Sequence, residues 1–176
     1  MLKRVPQFID PHRLADTGER IAGQTDLVPM SRLAPMLYST DTVAEVDLGF
    51  GVDEQGIRCV RGRVSASLSM ICQRCLEPMQ IPIAAQVSLG IVSSEAEASR
   101  LPEGYEPLIA AADPMPLASL IEDELILALP AIARHPASDC KAKPAAHNEV
   151  AEDAQDNAGG ATGPFAVLAR LRTSRQ

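Results

Sequence analysis

The sequence predicts an α+β domain: an antiparallel β-meander with a packed helix, N-terminal short helices before it and a flexible C-terminal segment after it. Three observations carry this. Apolar and polar residues alternate in three successive runs across residues 42–91, one later stretch switches to helical spacing, and large apolar residues almost vanish between Ser138 and Gly163. The 176 residues suit one domain with tails, since domains run to roughly 100–200 residues. Aromatics make up 3% of a chain that is 46% apolar and lacks Trp, so Leu, Val, Ile, Ala and Met must fill the core.

Asp10-Pro11 ahead of "HRLADTGERIA" predicts a helix start, because Asp accepts from free amides and Pro suits the first helical position. A second short helix is expected from Ser31. Ala44, Val46, Leu48, Phe50 and Val52 then alternate with Glu45 and Asp47, which is a strand with one buried face. Asp53-Glu-Gln-Gly56 supplies a turn, and Val60, Val64, Ala66, Leu68 and Met70 resume the alternation on even positions. Met79, Ile81, Ile83, Ala85, Val87, Leu89 and Ile91 form a third run on odd positions. Long strands with short connections predict antiparallel order, and "MICQRCLEPM" (70–79) joins the second to the third.

"SSEAEASRLPEGYEP" reads as an acidic loop, with residues 105–110 as a further strand. In "PLASLIEDELILALP", Leu117, Leu120, Ile121 and Leu125 recur at helical spacing, and Pro130 stops the helix. The expected organisation is a single domain over 1–137, a flexible acidic linker over 138–163 and a short helix or docking tail over 164–176. The linker's Ala, Asp, Glu, Asn, Gly and Lys cannot repay ordering entropy.

The net charge of −7 is uneven. Residues 1–92 hold 9 Lys/Arg against 10 Asp/Glu, residues 93–163 hold 4 against 13, and residues 164–176 hold 3 against none. That distribution disfavours indiscriminate nucleic-acid binding, which rides on a basic field, and leaves a local patch or a protein partner. The longest uncharged apolar run, residues 125–133, is broken by Pro130 and falls short of the roughly 20 residues a membrane span needs. The basic start "MLKRVPQFIDPHR" has no apolar stretch behind it. A cytoplasmic protein without membrane or small-molecule partners is expected, its Cys59, Cys72, Cys75 and Cys140 reduced.

Cys72 and Cys75 form a CxxC, which allows several readings. A redox pair needs a helix N-terminus after its first Cys, whereas here strands flank both sides and Pro78 follows closely. A zinc knuckle puts two thiolates on a tight turn between strands, and His135 and Cys140 in "ARHPASDC" would complete a closed tetrahedral, structural Zn2+ site. Against this, the second pair lacks a compact spacing, and Cys is often a small buried hydrophobe, which is how Cys59 reads.

For RNA, the candidates are Arg58, Arg61, Arg63 and Arg74. Arg61 and Arg63 share the strand face that continues as Ser65, Ser67 and Ser69, a combination that can hold phosphates and 2′-hydroxyls. The competing reading is a solvated face paired to Glu45 and Asp47 across the hairpin. A stacking platform is not expected from Phe8, Tyr38, Phe50, Tyr105 and Phe165 alone. As an adaptor, the chain would meet a basic partner protein through Glu122, Asp123 and Glu124, with Phe165, Leu168 and Arg170 docking as a short helix. No catalytic residue is expected: His12, His135 and His147 are scattered, and successive helical carboxylates do not share a face.

Taken in order, "CQRCLEPM", "LPEGYEPL", "LIEDELILALP" and "PFAVLARL" resemble the YceD-like family, the large ribosomal RNA subunit accumulation proteins, over nearly the whole chain. The resemblance implies a bacterial cytoplasmic, non-enzymatic factor that helps large-subunit ribosomal RNA or its precursor accumulate. Many relatives resemble a four-cysteine pattern, where this chain offers His135 and Cys140 as its second half.

Overall fold

The computed structural model describes residues 3–111 and 114–142. The linker beyond residue 142 and the tail with Phe165, Leu168 and Arg170 lie outside them. A two-residue strand β1 (Phe8–Ile9) leads into helix α1 (Pro11–Thr17). As the sequence predicts, Pro11 opens the helix and Asp10 caps it, its carboxylate accepting from the Arg13 amide at 3.0 Å. The run does not stay helical through Ala22. Gly18 takes the left-handed conformation at φ 66°, the chain turns, and strand β2 (Arg20–Asp26) begins two residues later.

The helix expected from Ser31 contracts to a single 3-10 turn, Ala34–Met36, because Pro35 has no amide with which to extend it. The surrounding loop still fills the core, with Leu27, Met30 and Leu33 fully buried. The three predicted long strands are β3 (Val43–Val52), β4 (Arg58–Ile71) and β5 (Pro78–Val92), paired antiparallel in sequence. Their apolar face carries Ala44, Val46, Leu48, Phe50, Val60, Val64, Leu68, Val87 and Leu89, all buried. Val52, predicted to share it, is 51% exposed beside the turn.

The acidic loop contains one helical turn, α2 (Glu95–Ala98), capped by Ser94, whose side chain accepts from the Glu97 amide. The chain then re-enters the sheet as β6 (Glu106–Ile109), running parallel to the end of β5 from Leu89↔Glu106 to Val92↔Ile109. The sheet is therefore mixed, in the order β2-β3-β4-β5-β6, rather than a pure meander. A short β7 (Met115–Pro116) pairs with β1 and feeds helix α3 (Leu117–Leu127). Leu117, Leu120, Ile121 and Leu125 are buried at 0–3% exposure, the face predicted from their spacing.

Gly62 interrupts the buried face of β4 opposite Leu48. Its φ is 155°, and a Cβ there would lie 2.0 Å from the Asp47 carbonyl oxygen. Gly62→Ala is expected to lower stability by about 3 kcal/mol, from strain and the forced separation of β3 and β4. The shift in urea midpoint would measure it.

Candidate metal centre

The β4–β5 hairpin closes through residues 72–77. The Cys72 amide donates to the Glu77 carbonyl at 2.9 Å, and the Leu76 amide donates to the Cys72 carbonyl at 2.9 Å. Leu76 carries this tight reversal at φ 61°, unusual for a residue other than glycine. The segment after α3 docks onto the same turn, where the Gln73 amide donates to the Ala133 carbonyl at 2.8 Å. A second turn follows, with the Asp139 and Cys140 amides both donating to the Pro136 carbonyl.

These two turns bring together all four residues proposed from the sequence. The ligand atoms of Cys72, Cys75, His135 and Cys140 lie within 4.8 Å of one another, with Cys72 buried and the others half-buried. His135 Nδ1 sits 3.3 Å from Cys75 Sγ, and the His135 amide donates to Cys72 Sγ at 3.4 Å. The chemistry fits a metal ion. Zn–S bonds of about 2.3 Å in a tetrahedron space the sulfurs by roughly 3.8 Å, so a small contraction would seat one cation among three thiolates and an imidazole.

The electrostatics of the cluster are uneven. Burial alone would raise the Cys72 thiol, but the amides of Cys75, His135 and Arg74 outweigh it and draw the pKa down to about 5. For Cys75 the Glu77 amide acts downward, and burial with the neighbouring Cys72 and Cys140 sulfurs reverses it, leaving the thiol above its usual value. Thiolates crowded this closely repel one another unless a cation lies between them. Arg74 donates from Nε to Cys140 Sγ at 2.9 Å and from Nη2 to the His135 carbonyl at 3.4 Å.

Arg74 thus belongs to the cluster's surroundings, and the other three candidate arginines are spread along β4. Arg58 forks onto Asp16 of α1 at 2.7 and 3.2 Å. Arg61 lies over the Tyr105 ring, 5.1 Å from its centroid, and donates to the Tyr105 hydroxyl. That hydroxyl donates to Asp53 at 2.8 Å; burial first, then the Asp53 carboxylate, push the Tyr105 pKa up to about 12. Arg63 sits opposite Asp47, but Asp47 is held by both arms of Arg20 at 2.6 and 2.5 Å. Among the described residues Arg63 has no ion pair.

The acidic triplet of α3 divides in the same way. Glu122, 5% exposed, accepts from the Arg32 amide at 2.6 Å, the Leu33 amide at 3.0 Å and the Arg32 guanidinium at 2.8 and 3.0 Å. Asp123 takes the other arm of Arg32 at 2.5 Å. Glu124 receives no hydrogen bond or ion pair among the described residues. Sequence reasoning missed Arg32, Tyr105 and Asp53 as partners, since each meets its counterpart across a separation that no local spacing reports.

No described helix is long and apolar enough to cross a membrane. The fold and site together define an α+β protein whose Cys/His cluster, able to hold a metal ion, staples the tip of a long hairpin to the segment after its helix. The family model described as "Large ribosomal RNA subunit accumulation protein YceD" matches residues 60–172, and the chain belongs to this family. A relative from Haemophilus influenzae carrying the same description is 31% identical over 170 residues, covering 96% of this chain and 97% of its own. No solved structure matches the chain.

Proposed function

We propose that this chain is a non-enzymatic, cytoplasmic factor of ribosome biogenesis that supports the synthesis, processing or accumulation of large-subunit ribosomal RNA. The observation that carries the reading is the family match, which spans the hairpin, the metal cluster and α3 and extends end to end with the bacterial relative. The cluster suits this role as a structural Zn2+ site, because four protein ligands leave no position for a reacting water.

For direct RNA contact we infer the outer face of β4. Arg63, Ser65 and Glu45 line both of two shallow troughs of about 400 and 480 Å³, the first also bounded by Ser67 and Ala84 and the second by Ala22 and the Arg20-bound Asp47. Small side chains let a backbone approach, and an unpaired guanidinium supplies the phosphate contact. Arg61 adjoins Arg63 on this face and is engaged by Tyr105, while Arg58 is turned to Asp16 of α1 and Arg74 to the Cys/His cluster. The second reading, a protein adaptor for a basic ribosomal protein or an RNA-processing enzyme, draws on Glu124, which has no ion pair among the described residues.

Crosslinking in cells, read by sequencing and mass spectrometry, tests the choice. Large-subunit RNA crosslinked to β4 peptides, and lost in Arg63→Ala, is the expected result, with the salt dependence of binding reduced by about one phosphate contact. Protein crosslinks with no RNA would overturn direct contact.

A further inference from the structure

Glu124 is a carboxylate with no visible reason to be where it is. It is 8% exposed, yet no described residue donates to it. Its carboxylate oxygens still reach the surface, so they are completed from outside the described residues, by solvent or by a bound group. Burial raises its pKa above the usual carboxylate value, and the nearby Glu106 and Asp123 charges add to the rise.

The surroundings show where the missing group would sit. Glu124 lines a depression of about 470 Å³ between the β5–β6 region and the end of α3, together with Glu106, Tyr105, Leu89, Leu127 and Ala128. A second depression of about 380 Å³ shares Glu106, Glu124 and Leu127 and continues past Leu108, Leu120 and the Arg32-bound Asp123. Together they make one trough with carboxylates at its middle and apolar walls. Leu127 is 71% exposed along it, and Ile109 on the adjoining strand is 49% exposed. Strand β6 ends the sheet order, so its outer edge has no strand partner among the described residues. Arg61 is tied to Tyr105, and Arg32 holds Asp123, so neither lines the first depression.

We infer that this trough binds an extended segment of a partner protein, with a lysine or arginine side chain seated between Glu106 and Glu124. The apolar walls match the methylene stem of such a side chain, and the two carboxylates match its charged end. A hard dication fits less well, since it asks for six or more oxygens, and of the three carboxylates along the trough Asp123 is already held by Arg32. The length of the trough and the open edge of β6 favour a chain over a small polycation. The inference deepens the proposed function by naming the chemistry of a protein partner, and rests on that reading for its biological setting alone.

The experiment uses the full chain purified without chelator and a fluorescent hexalysine peptide followed by anisotropy. Glu124→Gln is expected to weaken binding about tenfold, the worth of one charge-assisted hydrogen bond. Glu54→Gln, the same charge loss on an exposed turn, is expected to leave it unchanged. The Glu124→Gln protein should also melt at the same or a higher temperature at pH 7, because a buried charge has been removed. Equal weakening by both substitutions would reveal diffuse attraction and overturn the proposal, as would unchanged binding in Glu124→Gln or a clear fall in its melting temperature. A photocrosslinker at Leu127 that captured RNA in cells would also overturn it. Large-subunit RNA crosslinks at Arg63 should persist in Glu124→Gln, so the trough and the RNA reading can each fail alone.

Discussion

Cys72→Ser is expected to abolish a stoichiometry of about one zinc per chain, measured by elemental analysis of protein purified without chelator. Cys72 is the fully buried member of the cluster and the one whose sulfur accepts the His135 amide, so its loss removes a ligand and a strut together. Three remaining ligands would hold zinc far more weakly. The sheet should survive, because its core of Val60, Val64, Leu68 and Leu89 lies along the strands rather than at the tip. The effect should therefore concentrate in hydrogen exchange at residues 72–77 and 130–142, with the β3–β4 amides still protected. Zinc affinity should fall as pH drops, since the thiols and the imidazole must shed protons to bind. Freshly purified native chain free of zinc would rule the site out.

Arg74 sharpens this test. Three thiolates and one imidazole around Zn2+ leave a net charge of about −1, and the guanidinium on Cys140 is placed to balance it. Arg74→Ala should keep zinc but weaken its retention against a chelator by about 10–100-fold. A role confined to RNA would leave that retention unchanged.

Glu122→Gln is expected to destabilise the domain by about 2–3 kcal/mol at pH 7, because it removes an acceptor that a buried amide and a guanidinium share. The contact joins α3 to the loop that buries Leu27, Met30 and Leu33, so the loss reaches the core. Burial on its own would raise the Glu122 pKa, but the Leu33 amide, the Arg32 guanidinium and the Arg32 amide outweigh it and hold it below the ordinary glutamate value. A carboxylate whose folded pKa is depressed adds stability above its unfolded value and loses it as pH falls through the folded one. The native chain should therefore soften in that acidic window, and Glu122→Gln should soften less. Thermal melts between neutral and acidic pH would show the two curves converging; parallel curves would mean that Glu122 does not carry the effect.

The sequence by itself determined the long strands, the buried face of α3 and the four Cys/His residues that could hold a metal ion. Each rests on a periodicity or a residue chemistry that local order preserves: alternation for β3 to β5, helical spacing for Leu117 to Leu125, and thiol and imidazole donors for the cluster. "HRLADTGERIA" marks the limit, since its helical start was legible in Asp10-Pro11 while its conversion to β2 depended on pairing with β3. The parallel placement of β6 was equally hidden, because strand direction is set by where the chain re-enters the sheet. Charge pairing was decided by tertiary structure alone. Glu122, Asp123 and Glu124 read as one acidic run, yet Arg32, about ninety residues away, takes the first two and leaves the third facing a trough. Adjacent residues on a helix point about 100° apart, so only the packing of other elements around α3 could assign each carboxylate its neighbour.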